Sequence, residues 1–417
     1  MNIIGKISLK IKGKVVDGKD CKISISPNLI TCSFSCICQS DKISYILGKL
    51  NGADDDTENI VDPNDVISFY DLKIVESNQY VVVDSFQIDP KPSAIRITIN
   101  SIEEKVEIKF KKITLKKTCN VEKNVFYFDN FVDLIQGKNG CNLIYKNKEY
   151  CFSYDTINKV IAMSYDKEDS ISIKNLLLLI SLYYRFPIEY YRHDYTNNGF
   201  LYMSFKKNRS MDFDRFISNP MYFIKINGIS NVQDFISSAN INSHFKNGDL
   251  FQRVINNYVN SQYYDVIGEF ISLCLSIICL EPLLVPNNKE LIKKLGREHI
   301  SEFDRVVYLF EQLYAHGGSK IDFEKINAPL KKLNMDMTTD RNKGKHIETF
   351  IDLRNEIIHG LQSNEIYNFL EDDNTLITRL ELLNFVMISN MLGINKIEIR
   401  RNFKYFNIFG IKEINGI

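Results

Sequence analysis

Histidine is scarce in this chain: 6 in 417 residues, the first of them His193. So few, and so scattered, they offer no dedicated zinc site and imply no metal cofactor. Charge of one sign is lacking too, since Lys+Arg and Asp+Glu balance at 52 each. A zero net charge argues against a polybasic protein and restricts any nucleic-acid contact to a local patch. Long apolar runs are also missing. The longest, Phe270 to Leu280, is ended by Glu281 and Pro282, well short of a membrane span. Lys6, Lys10, Lys12 and Lys14 interrupt the opening stretch before a signal-peptide core can form. A soluble, cytoplasmic protein is the expectation.

Several enzyme signatures are absent as well. There is no GxxxxGK[ST] phosphate loop, no GxGxxG, no HExxH and no GxSxG, and Gly317-Gly318-Ser319-Lys320 has the wrong order and spacing for the first. The 9 cysteines form no disulfide framework. Cys32, Cys36 and Cys38 share one face of a strand-like run with Phe34, which reads as reduced, buried thiols rather than a metal cluster.

What is present comes in two styles, and the length suits two domains. Up to about residue 165 the apolar residues recur with period two: Ile7, Leu9 and Ile11; Ile95, Ile97 and Ile99; Val106, Ile108 and Phe110. Alternation with charged residues predicts antiparallel strands in a sandwich or barrel-like domain. Lys146-Asn147-Lys148 and Asn198-Gly199 read as hairpin turns. A short helix is expected near 173–184. From Asp249 the step changes to three and four, through Val254, Ile255, Tyr258, Val259, Phe270, Cys274 and Ile277. Further helices are expected from Lys345 to His359 and from Ser363 to Leu392, the latter breaking near Asp372. The expected fold class is therefore α+β: a β-rich domain over 1–240, then an all-α bundle over 241–417.

Within that bundle one segment carries chemistry. On a helical wheel Ile347, Phe350, Ile351, Ile358 and Leu361 make an apolar stripe with Arg354 in its middle. A guanidinium there needs an internal carboxylate, or else the stripe faces a cleft or an interface. Beside it lie Asn355 and His359, one turn apart, with Gly360 marking the helix end. Arginine, asparagine and histidine suit phosphodiester chemistry. Histidine exchanges protons near neutrality, arginine keeps its charge and fits phosphate oxygens, and asparagine orients either partner. A second copy of the pattern, Arg341-Asn342 with His346, lies in a polar stretch containing Gly344; it reads as a substrate-binding rim or as chance.

Arg354-Asn355-x-x-x-His359-Gly360, late in a helical domain, resembles the RxxxxH motif of HEPN domains. The β-rich half, the leucine-rich helix and the long helices before it make the whole chain similar to the ApeA-like HEPN proteins of bacteria. The resemblance implies a metal-independent endoribonuclease, active as a homodimer. It would use the ribose 2′-hydroxyl as nucleophile and cut host RNA such as tRNA in defence against phage. By position His359 would be the acid/base, Arg354 the transition-state clamp and Asn355 an orienting group. The β-rich domain would hold the enzyme latent until a phage-derived trigger binds.

Other readings stand beside these. Arg354 could be a buried ion pair with Glu281 or Glu311, and His359 a helix-end histidine interacting with the dipole. The domain could be a non-catalytic HEPN module binding RNA, a nucleotide or a partner protein. Tyr190-Tyr191-Arg192-His193-Asp194-Tyr195 could stack on single-stranded RNA, although an aromatic hairpin packed on the sheet is the simpler reading. Lys105, Lys109, Lys111, Lys112, Lys116 and Lys117 read as the wet face of strands.

Overall fold

Period-two segments become strands because one side of each is apolar enough to bury. The computed structural model of the protein describes residues 1–11, 14–27, 29–36, 66–76, 79–82, 85–88, 92–99, 104–110, 112–128, 141–155, 160–165, 170–206, 224–226, 228–240, 248–315, 321–336, 347–360, 364–372, 375–394, 397–400 and 413–414. The strands of the N-terminal part are β1 (Asn2–Ile11), β2 (Lys14–Ile25), β3 (Ile30–Cys36), β4 (Val66–Glu76), β5 (Gln79–Val82), β6 (Ser85–Ile88), β7 (Pro92–Ile99), β8 (Glu104–Phe110), β9 (Lys112–Thr118), β10 (Asn124–Phe128), β11 (Cys141–Tyr145), β12 (Lys148–Asp155), β13 (Val160–Ser164), β14 (Arg192–Asn197) and β15 (Phe200–Lys206). They form two antiparallel sheets: β5-β4-β1-β2-β3-β8-β7, and β11-β12-β13-β10-β14-β15-β9-β6.

The sheets share a core. Ile3, Ile7, Ile23, Cys32, Phe34, Ile108 and Phe110 of the first pack with Ile113, Leu115, Leu201, Met203 and Phe205 of the second. Each such side chain contributes about 1.5–3 kcal/mol on leaving water. Gly18 lies where a Cβ would come within 2.4 Å of the Phe34 ring and 2.5 Å of Ile7, so only glycine lets these close. Cys32 is buried with its Sγ 3.5 Å from that of Cys21, and their hydrogen bond together with burial raises the Cys32 thiol pKa. It is a small apolar residue here. Cys36 belongs to β3 and Cys38 lies outside the described residues. Both expected hairpin tips adopt left-handed backbone, Lys146 and Asn147 at φ 51° and 62°, Asn198 and Gly199 at 49° and 73°, which matches the right-handed twist of the flanking strands.

The helical part follows: α1 (Ser170–Tyr184), α2 (Val232–Ser238), α3 (Gly248–Asn260), α4 (Val266–Ile278), α5 (Glu281–Leu284), α6 (Asn288–Leu295), α7 (Glu302–Ala315), α8 (Phe323–Asn327), α9 (Leu330–Asp336), α10 (Phe350–Ile358), α11 (Asn364–Asp372) and α12 (Thr375–Met391). It is not all-α, for a small sheet joins Ile224–Ile226 to Ile397–Arg400 and the latter to Glu413–Ile414. Nor does the chain divide at 240. One compact unit comprises Met1–Leu143, Lys148–Ser170 and Glu189–Ser210; the other comprises Ile144–Asn147, Ile171–Ile188 and Met211–Ile417. The leucine-rich α1 and the apolar α2 thus belong to the helical unit, where Tyr183 packs on Phe235 and Phe235 on Phe385. Residues 241–417 alone would lose these core elements.

The most buried charge of the helical unit shows why. Arg185, just after α1, is fully buried. It donates to Glu381 of α12, to Glu269 of α4 at 2.9 Å and to Ser261 at 3.1 Å, while its carbonyl accepts from Gln262 at 2.7 Å. Burial works against its charge, but the carboxylates, Glu381 foremost, more than offset it. Two carboxylates share one guanidinium away from water, so burial, with Glu269 adding to it and Arg185 opposing it, pushes Glu381 from 4.5 up to about 7. The folded protein therefore retains a proton that the unfolded chain releases. This contribution to stability is present at acidic pH and is lost as pH rises from about 4.5 to about 7. As pH rises from 5 to 8, the stability difference between Glu381→Gln, which never ionises, and wild type should move by about 1–3 kcal/mol in the variant's favour in urea unfolding. A pH-independent difference would contradict this assignment.

Candidate active site

Helix α10 is short because its two ends are chemically fixed. Thr349 accepts from the Asp352 amide at 3.1 Å while the Asp352 carboxylate accepts from the Thr349 amide at 2.9 Å, a reciprocal capping box. Asn327 accepts from the Phe350 amide at 3.0 Å, and Asn334 bonds both the amide and the carbonyl of Ile347. These anchors start the helix at Phe350 rather than at the expected Lys345. At the other end the His359 amide bonds the Asn355 carbonyl at 2.9 Å, and Gly360 at φ 96° turns the chain away.

The buried arc of α10 is made by Phe350, Ile351, Leu353 and Ile357. Ile358, expected in the stripe, is 53% exposed and lies beside the exposed His359. Leu361 lies outside the described residues. Arg354 keeps its place within the arc, and the carboxylate it needs is present. It is Glu302, at the first turn of α7, and not Glu281 or Glu311. Glu281 instead accepts from Arg305 at 2.8 Å, and Glu311 is exposed.

The geometry is a closed triangle. Arg354 Nη1 donates to Glu302 Oε1 at 2.9 Å and to Asn355 Oδ1 at 2.7 Å, and Asn355 Nδ2 donates to Glu302 Oε2 at 3.1 Å. Arg354 Nη2 takes no part in it, and Arg354 Nε is buried with no hydrogen-bond partner among the described residues. The carboxylate is itself positioned. Ser301 and Asp304 cap α7 reciprocally, and Phe303 packs edge-on against Phe350 at 6.0 Å, which sets the first turn of α7 against α10. A carboxylate at a helix N-terminus is also favoured by the helix dipole.

The sequence-predicted residues therefore separate into three groups. Arg354 and Asn355 meet directly. His359 stands one turn on at the helix end, its ring exposed and outside the triangle of hydrogen bonds. Arg341 and His346 lie outside the described residues. Glu302 is the residue that sequence reasoning missed. The signal was there in part, since the Ser301–Asp304 capping pattern marks a helix start and the buried arginine demands an acid, but nothing in the sequence joins positions 302 and 354. Chemically the arrangement holds a guanidinium and an amide in fixed orientation beside an exposed imidazole, which is a donor set suited to an anionic, oxygen-rich ligand. No helix of the described residues is long and apolar enough to cross a membrane. No family model, curated protein or solved structure matches the chain.

Proposed function

We propose that this protein is a HEPN-type, metal-independent endoribonuclease of the ApeA-like kind. It acts as a cytoplasmic homodimer, cuts host RNA, tRNA foremost, in defence against phage, and is held latent by its β-rich unit until a phage-derived trigger binds. The observation that carries this reading is the Arg354–Asn355–Glu302 triangle at the end of the helix that presents His359. In the reaction His359 takes the proton of a ribose 2′-hydroxyl; the 2′-oxygen attacks phosphorus, the bond to the 5′-oxygen breaks, and that oxygen is protonated as it leaves. One strand end becomes a 2′,3′-cyclic phosphate and the other a 5′-hydroxyl. Arg354 meets the charge that builds on the phosphate oxygens, and Asn355 orients it. Glu302 is a positioning residue that fixes the guanidinium. The exposed Ile358 and His359 at the helix end suit a face that a second copy covers.

Incubating the full chain with total tRNA in excess EDTA tests this reading. At high protein concentration the basal activity that latency leaves should still give discrete fragments, with 5′ ends that a polynucleotide kinase labels without prior phosphatase treatment. Fragments bearing 5′-phosphates would contradict the chemistry. Glu302→Ala should lower the cleavage rate about 10- to 100-fold by loosening Arg354, with little change in melting temperature because the pair is partly exposed.

A second reading has one observation in its favour. In the triangle the Arg354 charge is already paired and the His359 ring is not engaged, as suits a non-catalytic module that binds RNA, a nucleotide or a partner protein. Such a module would retard RNA in a gel without shortening it.

A further inference from the structure

The face of the second sheet that points away from the shared core carries a different pattern from a plain solvated surface. In β9, β15 and β14 the core side takes Ile113 and Leu115, Leu201, Met203 and Phe205, and Asp194. The opposite side is set out in cross-strand rows. Tyr195 stands opposite Tyr202, and Tyr202 opposite Lys116; His193 stands opposite Ser204, and Ser204 opposite Thr114; Lys206 stands opposite Lys112. The lysines expected to be merely wet are thus interleaved with rings.

The rings form a continuous column across three strands, β10, β14 and β15, with Tyr165 just past the end of β13. Tyr165 stacks on Phe126 at 4.8 Å, Phe126 on His193 at 4.2 Å, His193 lies 4.9 Å from Tyr195, and Tyr195 stacks on Tyr202 at 5.0 Å and 9°. Cations flank it. Lys116 Nζ lies 3.8 Å from the centre of the Phe200 ring and 5.7 Å from that of Tyr202, and Lys206 Nζ is 4.2 Å from that of Tyr190. Tyr165, Tyr190, His193, Tyr195, Phe200 and Tyr202 are all half-buried, and Lys112 is exposed.

The charges on this face favour an anion. Lys112 and Lys206 are directly opposite each other, a like-charge pairing that a sheet bears at a cost. Asp194, on the other side of β14, is already engaged by Arg192 at 2.7 Å and Lys123 at 3.0 Å. Among the described residues Glu189 is the carboxylate whose field reaches Lys206, and it also acts on Tyr190. Burial drives His193 down to about 4, so its ring is neutral at physiological pH and acts as one more aromatic in the column. Stacking platforms interleaved with lysines are what a flexible polyanion with planar bases needs, each base having a ring face and each phosphate a cation.

We infer that this lysine-bordered aromatic face of the β-rich unit binds single-stranded RNA, with bases against Tyr195 and Tyr202 and phosphates at Lys112, Lys116 and Lys206. The choice of RNA over DNA rests on the ribonuclease reading; the surface chemistry does not.

The test uses the full chain carrying His359→Ala, so that RNA is not consumed, and fluorescein-labelled 12-nucleotide RNA and DNA of the same sequence, read by anisotropy at two salt concentrations. Lys112→Ala with Lys116→Ala should weaken RNA binding at least 10-fold at low salt and reduce the slope of log affinity against log salt by about 1.4, two phosphate contacts' worth. Tyr202→Ala should cost about 5- to 100-fold at an unchanged slope, and Tyr202→Phe should retain binding. Lys112→Glu keeps the assignment falsifiable should the others fold poorly, because an exposed strand position tolerates it; it must also weaken binding. Unaltered affinity in Lys112→Glu and in Tyr202→Ala would overturn the proposal, and tighter binding of the DNA than of the RNA would overturn the assignment to RNA. The two readings fail separately. Loss of binding in these variants alongside a wild type that cuts nothing would sink the ribonuclease reading alone, whereas His359-dependent cleavage with binding untouched by the face variants would sink this one alone.

Discussion

His359→Ala should reduce RNA cleavage by about 10²- to 10⁴-fold, the range that positioned proton transfer supplies. It should do so without shifting the melting temperature, because the ring is exposed and its one structural bond is through the backbone amide, which alanine keeps. That combination separates chemistry from architecture. A structural histidine would cost stability and activity together. Arg354→Lys is the matching control on the other half of the site. Lysine keeps the charge but not the fork, so it cannot bond Glu302 and Asn355 together while presenting a further donor, and activity should fall although the charge is conserved. Full activity in His359→Ala would show that the imidazole is not the proton carrier.

The largest effect on stability should come from a residue far from that chemistry in sequence. Arg185→Ala leaves Glu269 and Glu381 facing each other without their shared cation, and breaking a buried pair in this way typically costs about 3–5 kcal/mol. Arg185 also bonds Ser261, and its carbonyl holds Gln262, so the side chain joins α1 to α4 and α12 through one guanidinium. The midpoint of urea unfolding, followed by helical circular dichroism, should drop sharply in Arg185→Ala. It should recover in large part when Glu269→Gln and Glu381→Gln are added, because the uncompensated charges are what the single variant suffers from. A loss of less than about 1 kcal/mol, the value of an exposed pair, would mean that water reaches the cluster.

How much of this was legible beforehand depended on whether the signal was local. Strand alternation, the Lys146-Asn147 and Asn198-Gly199 turns, and the change of period after Asp249 are all properties of neighbouring residues, and the fold class followed from them. The domain boundary was misplaced for a related reason. The polar stretch before Gly248 looks like a linker, yet α1 and α2, which precede it, are apolar enough to be drawn into the helical core through Leu179, Phe235 and the Arg185 cluster. At the site, Arg354 and Asn355 could be found because a guanidinium on an apolar arc is anomalous within a single helix. Its partner could not, because Glu302 is 52 residues away and the two meet only through the packing of α7 on α10. The aromatic face was half legible. The Tyr-rich run was evident, but its alignment with Lys112 and Lys116 depends on the order β14-β15-β9, a pairing that reaches back more than 70 residues.

The most direct measurement runs wild type, His359→Ala and His346→Ala side by side on total tRNA in excess EDTA, with products resolved by size. Fragments from wild type and His346→Ala but not from His359→Ala are the expected result, and they would place the reaction at Arg354 and His359. Fragments that persist in His359→Ala, or that vanish in His346→Ala instead, would contradict it.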